Sequence, residues 1–407
     1  MSKVLIIGGG HAGANVAFAL RKDGFDGEID LVSTEKYLPY HRPPLSKDFL
    51  KKKIDLEKLL FKSASFLEEQ NIKIHLGCSI DAIDLESKLA SSDDAQFAFD
   101  YLVFATGASP RKLSMPNADA SNLFYLRSVD DVLNIHNQLD GIKHIALIGG
   151  GYIGLEVASA MRELKISVTV LEAEDRILKR VTGAEMSSFY QEIHESHGVT
   201  IRCDALVEEL VAKEGIIEAI KLNSGELIEV DAVLAGIGAI PNIDLAEQAG
   251  ITCKNGIVTD EFCRTNNPFV LAAGDCANSH NTLLNQSIRL ESVPNALAQS
   301  KVIASSILGN EQVNSDFPWF WSDQYDLKLQ MAGLSLGHDS TFVYGDLAAA
   351  EFIMCYGKDG YLIAVDSVNY SKKFMLFKKA LSNGFRLEME IIKNPNFEPE
   401  SIFSGSN

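Results

Sequence analysis

The sequence predicts an α/β protein: two successive strand–turn–helix units followed by a smaller α+β domain. Three observations predict it. A glycine-rich turn occurs twice, each time between an apolar strand and a helix pattern. Each copy is followed, roughly 20 residues on, by an acid at the end of a second strand. Beyond about residue 318 the pattern changes to short alternating strands and one more helix.

The first turn is Gly8-Gly9-Gly10-His11-Ala12-Gly13, after the strand Lys3–Ile7 and before the helix pattern Ala14–Arg21. The second is Gly149-Gly150-Gly151-Tyr152-Ile153-Gly154, after the strand Ile145–Ile148 and before the helix pattern Leu155–Leu164. Both read G-x-G-x-x-G. The first glycine makes the tight turn, the second lets backbone approach a pyrophosphate, and the third lets helix and strand pack closely. The helix start adds free N–H groups and a positive dipole end. A single such motif is weak, but each copy here has its acid. Glu35 follows the strand Ile29–Ser33, and Glu172 follows Val168–Leu171. A carboxylate there accepts both ribose hydroxyls. The chain is therefore expected to hold two Rossmann-like dinucleotide-binding domains. Glu172 would repel a 2′-phosphate, which favours NADH over NADPH, with Arg176 and Arg180 partly offsetting it.

Bulk properties bound the rest. At 407 residues the chain exceeds one hydrophobic core. A net charge of −18 argues against nucleic-acid binding, which needs clustered cations. No apolar run is long enough to span a membrane, and the first apolar run is too short for a signal-peptide core. The six cysteines are scattered without a C-x-x-C pair, so free thiols in a reducing cytoplasm and no metal site are expected.

Two further stretches carry a resemblance. Tyr101–Gly107 is an apolar strand ending in Ala-Thr-Gly, and Phe269–Leu271 leads into Ala272-Ala273-Gly274-Asp275-Cys276-Ala277. With the two turns, these resemble the two-dinucleotide-fold flavoprotein reductases of the glutathione-reductase-like superfamily. The stretch Pro39-Tyr40-His41-Arg42-Pro43-Pro44-Leu45-Ser46-Lys47 narrows this further. So do Arg289–Ala296 and Pro318–Gln324. They resemble the NADH-dependent ferredoxin reductases of oxygenase systems, the putidaredoxin reductase and rubredoxin reductase group. Residues from about 393 onward match nothing in that group. His11 stands where the group usually has an apolar residue, and no function is attached to it.

The resemblance implies an FAD-binding domain over residues 1–113 and 245–318, an NAD-binding domain over 114–244 and a C-terminal domain over 319–407. It implies that Gly8, Gly10, Ala12 and Gly13 cradle the FAD pyrophosphate. Thr34 or Glu35 meets the adenosine ribose, and Ile80 offers backbone to the adenine. Arg42 and Lys47 lie along the flavin. Ala105, Thr106, Gly107, Arg127, Asp275 and Val293 complete the FAD contacts, with Asp275 on the ribityl chain. Gly149, Gly151, Ile153, Gly154, Glu172, Arg180 and Gly238 take NADH.

Hydride transfer from nicotinamide to flavin needs stacked rings rather than a side-chain acid. Lys47 is the candidate to stabilise the negative charge that reduction brings. Glu156 either pairs with it or is an exposed first-turn acid favouring the helix dipole. Glu291 is placed near the nicotinamide by the resemblance, or is a surface helix-cap acid. Trp319 and Trp321 share one face of an extended segment; they either pack a core or stand beside the flavin where a ferredoxin docks. Lys372, Lys373, Lys378 and Lys379 are either a solvated helix face or a docking patch for an acidic partner. Disulfide reductases of the superfamily carry C-x-x-x-x-C after the first βαβ unit, and oxidase and peroxidase relatives need a cysteine near residue 40. This chain has no cysteine before Cys78, so electrons must leave the reduced flavin directly. The expected activity is NADH:ferredoxin reduction, with single electrons passing to a [2Fe–2S] ferredoxin and on to a cytochrome P450 or ring-hydroxylating oxygenase. The alternatives are a reductase of rubredoxin or a small organic acceptor, or a redox-controlled interaction protein like apoptosis-inducing factor.

Overall fold

The structure, a computed structural model, describes residues 2–403. Residues 1 and 404–407, which the expected domain bounds include, lie outside them. The chain divides into two compact units. One comprises the residues up to His41, Leu56–Ser109 and Ile240–Phe320; the other comprises Arg42–Asp55, Pro110–Ala239 and the residues from Trp321 onward. The second unit thus combines parts of all three expected domains.

The first unit is built on a parallel sheet in the order Val270–Ala272, Tyr101–Phe104, Lys3–Ile7, Glu28–Ser33, Ile72–Leu76. Its strands Lys3–Ile7 and Tyr101–Phe104 are near-continuous apolar runs because both faces are covered. Val4 and Ile6 face a core with Val16, Leu20, Val302 and Ile303 from the helices His11–Lys22 and Val293–Ile307. Leu5 and Ile7 alternate to the other face, against Phe97, Phe99 and Phe104.

The second unit has a parallel sheet in the order Val199–Arg202, Ser167–Leu171, His144–Ile148, Ala232–Ala235, Leu123–Phe124. From Trp321 onward it also carries a five-stranded sheet whose strands run in the order Trp319–Gln324, Leu327–Gly333, Tyr361–Val368, Glu351–Lys358, Ser340–Asp346. Lys358 pairs with Tyr361 across Asp359 and Gly360, whose φ angles are 52° and 81°. Two successive left-handed residues make a tight primed turn, which an Asp-Gly pair favours. The helix Ser371–Ser382 follows.

Helix starts differ from the sequence expectation. The helices begin at His11 and Tyr152, inside the glycine motifs, and not at Ala14 and Leu155. Apolar periodicity marks where a helix starts burying side chains; here the first turn is formed before that, on Gly10 and Gly151 as caps. No helix among the described residues is long and apolar enough to cross a membrane.

The seat of each helix on its turn is testable. A Cβ on Gly154 would stand 2.3 Å from Gly149 O. Gly154→Ala is expected to cost about 1–3 kcal/mol through forced backbone shift, read as a lower urea midpoint.

Candidate dinucleotide sites

Both cradles obey the same geometry. Gly8 has φ of 118° and Gly149 has φ of 107°. A Cβ on Gly8 would stand 2.1 Å from Ala105 O, and one on Gly149 would stand 2.5 Å from Gly236 O. Each turn therefore nests against the end of a neighbouring strand with no room for a side chain. A Cβ on Gly13 would stand 1.9 Å from Gly8 O, which closes the same helix-on-turn contact in the first unit.

Gly151 is different. A Cβ there would meet nothing within 4 Å. The protein's own packing does not require glycine at that position, and the space beside it is open to a group from outside. Neither cradle helix has an acid in its first turn, and neither glycine cap provides a side-chain hydrogen bond. A glycine cap and an acid-free first turn suit an anion at the positive helix end, and these residues fit a pyrophosphate.

In the first unit Glu35 accepts a hydrogen bond from the buried Tyr40 hydroxyl. Thr34 beside it is exposed, and Ile80 is buried. Ala105 is buried under Gly8. Thr106 is locked to Asn242: Thr106 Oγ1 donates to Asn242 O at 2.7 Å, and Asn242 Nδ2 donates to Thr106 O at 2.8 Å. Gly107 follows in a left-handed conformation. Asp275 lies in the turn Gly274–Cys276, where Gly274 N donates to Gln299 Oε1 at 2.8 Å. Arg289 Nη1 donates to Asp275 O at 3.2 Å and to Glu291 Oε1 at 2.5 Å. Glu291 is thus exposed and ion-paired, just before Val293 opens its helix with Ser292 as cap.

In the second unit Glu172 Oε2 accepts from Gly150 N at 2.7 Å, and Oε1 accepts from Glu174 N at 3.0 Å. The acid is fixed against its own cradle. Arg176 is engaged by Gly183 O and the Ser187 hydroxyl, whereas Arg180 is exposed. Ile153 is exposed at the cradle. Gly238 is exposed at the end of the neighbouring strand, and Gly238 O accepts from Arg111 N at 2.9 Å.

Arg42 and Lys47 lie in the second unit. Arg42 Nη1 donates to Arg127 O at 2.7 Å. Lys47 Nζ is 2.7 Å from Glu156 Oε2, and Glu156 is 6% exposed. Of the two readings open for Glu156, the structure shows the buried pair and not the exposed first-turn acid. The reason lies in its neighbours: Ser46 Oγ donates to Oε2 at 2.5 Å and Ser322 Oγ donates to Oε1 at 2.6 Å. Trp319 and Trp321 are half-buried on one face of the strand Trp319–Gln324, with Ser322 turned the other way.

Sequence reasoning took Ser46 and Ser322 only as parts of motif stretches and gave neither a role. It also missed a buried trio of Thr182, Tyr356 and Asp366. Burial pushes the Asp366 carboxyl up to about 6. Hydroxyls inside strands have no spacing signal of their own.

Fold and sites together define an oxidoreductase that works on dinucleotide cofactors. The sequence matches the pyridine nucleotide-disulphide oxidoreductase family over residues 2–300 and a reductase C-terminal family over 319–402, so residues 393–402 do match, against the expectation from sequence. It is 41% identical over 379 residues to a ferredoxin–NAD(P)(+) reductase of Sphingomonas sp, covering 92% of each chain. The ferredoxin reductase for the CYP199A2 system of Rhodopseudomonas palustris has a structure similar at a TM-score of 0.96, with 34% identity over 98% of this chain and 99% of that one. The reductase in the covalent putidaredoxin reductase–putidaredoxin complex is similar at 0.94, with 37% identity over 99% of this chain and 98% of that one. The chain belongs to the pyridine nucleotide-disulphide oxidoreductase family, and membership implies use of a flavin and a pyridine nucleotide.

Removing one partner of the Lys47–Glu156 pair leaves a buried charge uncompensated. Glu156→Leu and Lys47→Met are each expected to cost about 3 kcal/mol, the low end for a buried pair because Lys47 keeps some solvent contact. In urea unfolding the double variant should lose clearly less than the sum of the two.

Proposed function

We propose that the protein is an NADH-dependent, FAD-containing ferredoxin reductase acting in the cytoplasm. FAD is assigned to the first cradle and NADH to the second. The electrons go singly to a [2Fe–2S] ferredoxin serving a cytochrome P450 or a ring-hydroxylating oxygenase. One observation carries the reading: two matched cradles lie in a chain with no cysteine before Cys78, and all six of its cysteines are free. The chain has no disulfide through which electrons could pass, so they go to an external acceptor. The relatives named as ferredoxin reductases support the identity of that acceptor. Free thiols support a reducing compartment.

When bound, the flavin takes two electrons from the nicotinamide and returns them one at a time. The chain's own residues do the rest. Lys47 supplies a cation held in place by Glu156. Glu172, fixed by two backbone N–H groups, accepts the ribose hydroxyls of NADH and repels a 2′-phosphate. With Arg176 committed to Gly183 and Ser187, only Arg180 remains to counter that repulsion. The surface that meets the ferredoxin is narrower than the four lysines suggest, because Lys373 is tied to Glu398 and Glu400 at 2.6 and 2.8 Å.

The test is NADH-driven reduction of cytochrome c by the purified flavoprotein, with and without a [2Fe–2S] ferredoxin. The rate is expected to rise with ferredoxin concentration and saturate. A rate indifferent to ferredoxin but responsive to rubredoxin or a small organic acceptor would reassign the partner. For the nucleotide, Glu172→Arg is expected to shift the ratio of kcat/KM for NADPH over NADH upward by roughly 10- to 100-fold, the worth of about 1.4–2.8 kcal/mol. An unchanged ratio removes Glu172 from the specificity site.

A further inference from the structure

Between Glu172 and the helix Ala184–Ser196 the chain folds back over the second cradle. Leu178 N donates to Gly150 O at 3.0 Å. Ile177 Cγ2 lies 2.7 Å from the point that a Cβ on Gly150 would occupy. Leu178 is buried with φ of 56°. A bulky L-residue adopts that left-handed conformation only where its surroundings impose it. The loop does not hold this shape by its own preference.

Two devices impose it. One is internal: Arg176 donates to Gly183 O and Lys179 O at 3.3 Å each, and to the Ser187 hydroxyl. The other comes from the five-stranded sheet. Tyr356 OH accepts from Gly183 N at 3.2 Å and donates to Asp366 Oδ2 at 2.6 Å. Thr182 Oγ1 donates to the same carboxylate oxygen at 2.7 Å. Tyr356 pairs with Ala364 across the sheet, so Asp366, two residues along that strand, projects from the same face. All three side chains are buried, at 5%, 0% and 3% exposure for Thr182, Tyr356 and Asp366. The neighbouring sheet positions Phe352, Met354, Leu362 and Ala364 are apolar. A buried carboxylate among such residues is costly unless it is bonded, and Tyr356 and Thr182 both donate to it.

We infer that Tyr356 and Asp366 are positioning residues for the second dinucleotide site: by fixing Thr182 and Gly183 they hold the 173–183 loop over Gly150 in the shape that admits the nucleotide. The inference rests on the reading of the second cradle as the NADH site. Neither residue touches the reacting groups, so the effect falls on nucleotide affinity and not on the transfer rate.

The test uses the flavin-loaded full chain and NADH itself. Tyr356→Phe keeps the ring and removes the hydroxyl; Thr182→Val removes the bond from the loop side. Each is expected to weaken NADH binding roughly three- to tenfold, on the scale of about one buried hydrogen bond's net worth felt at the nucleotide. The limiting rate of flavin reduction at saturating NADH should change by less than about twofold. The double variant should lose about as much as the larger single, because both act through one loop. Flavin content and unfolding midpoint are measured alongside. Parental affinity in the loaded fraction of both variants overturns the inference, whether or not their stability falls. So does an equal fall in affinity and limiting rate. A parent that binds no NADH overturns the reading of the second cradle and this inference with it.

Discussion

A single buried carboxylate gathers three distant stretches of the second unit. Glu156 sits two residues past the third glycine of its cradle, on a helix whose place is set by contact of Gly154 with Gly149. Onto that fixed point come Ser46 and Lys47 from the 42–55 segment and Ser322 from the strand Trp319–Gln324. Two charges withdrawn from water cost several kcal/mol each, and their attraction offsets this only when every oxygen is well bonded. Here both Glu156 oxygens are. An arrangement that moves any one stretch away exposes the full cost of the charge it abandons. The contact therefore acts less as a source of net stability than as a condition on where Lys47 and the Trp321 strand can lie.

The two cradles show how one backbone solution leaves freedom elsewhere. Their turn glycines and helix-packing glycines are constrained alike, by carbonyls at 1.9 to 2.5 Å from a Cβ that does not exist. Each acid is held by a hydrogen bond. Glu172 binds its own cradle through Gly150 N, whereas Glu35 takes the hydroxyl of Tyr40. Fixing Glu172 to the turn couples the acid to the loop that follows it. That loop in turn depends on the five-stranded sheet through Thr182 and Gly183. The sheet at the end of the chain thus reaches the second cradle by a short bonded path, all of it within one unit.

What was legible in the sequence follows from range. The strand Lys3–Ile7 is found as read, because a two-face-buried strand is an unbroken apolar run. The Asp359-Gly360 turn was legible because its backbone demands those residues. The helix starts were misplaced because glycine caps carry no apolar signal. The state of Glu156 was not decidable: an acid near a helix start looks the same in sequence exposed or buried, and its partner Ser46 is 110 residues away and Ser322 is 166 away. The Thr182–Asp366 contact spans 184 residues. No local period encodes a contact of that separation between a hydroxyl and an acid.

The thiols complete the argument about how electrons leave. Disulfide chemistry needs thiolates, and thiolates need a lowered pKa and access. In this chain burial acts the other way. It pushes Cys253 up to about 11 and Cys263 up to about 12, and it raises Cys203, Cys276 and Cys355 as well. These side chains behave as small apolar packing groups, as Cys263 does beneath the first sheet. The family is named for a pyridine nucleotide and a disulfide, and in five of this member's six thiols burial opposes the thiolate that disulfide chemistry needs. On the proposed reading the acceptor must then approach the flavin itself, which places the demand for specificity on the protein surface around the ring and not on an internal relay.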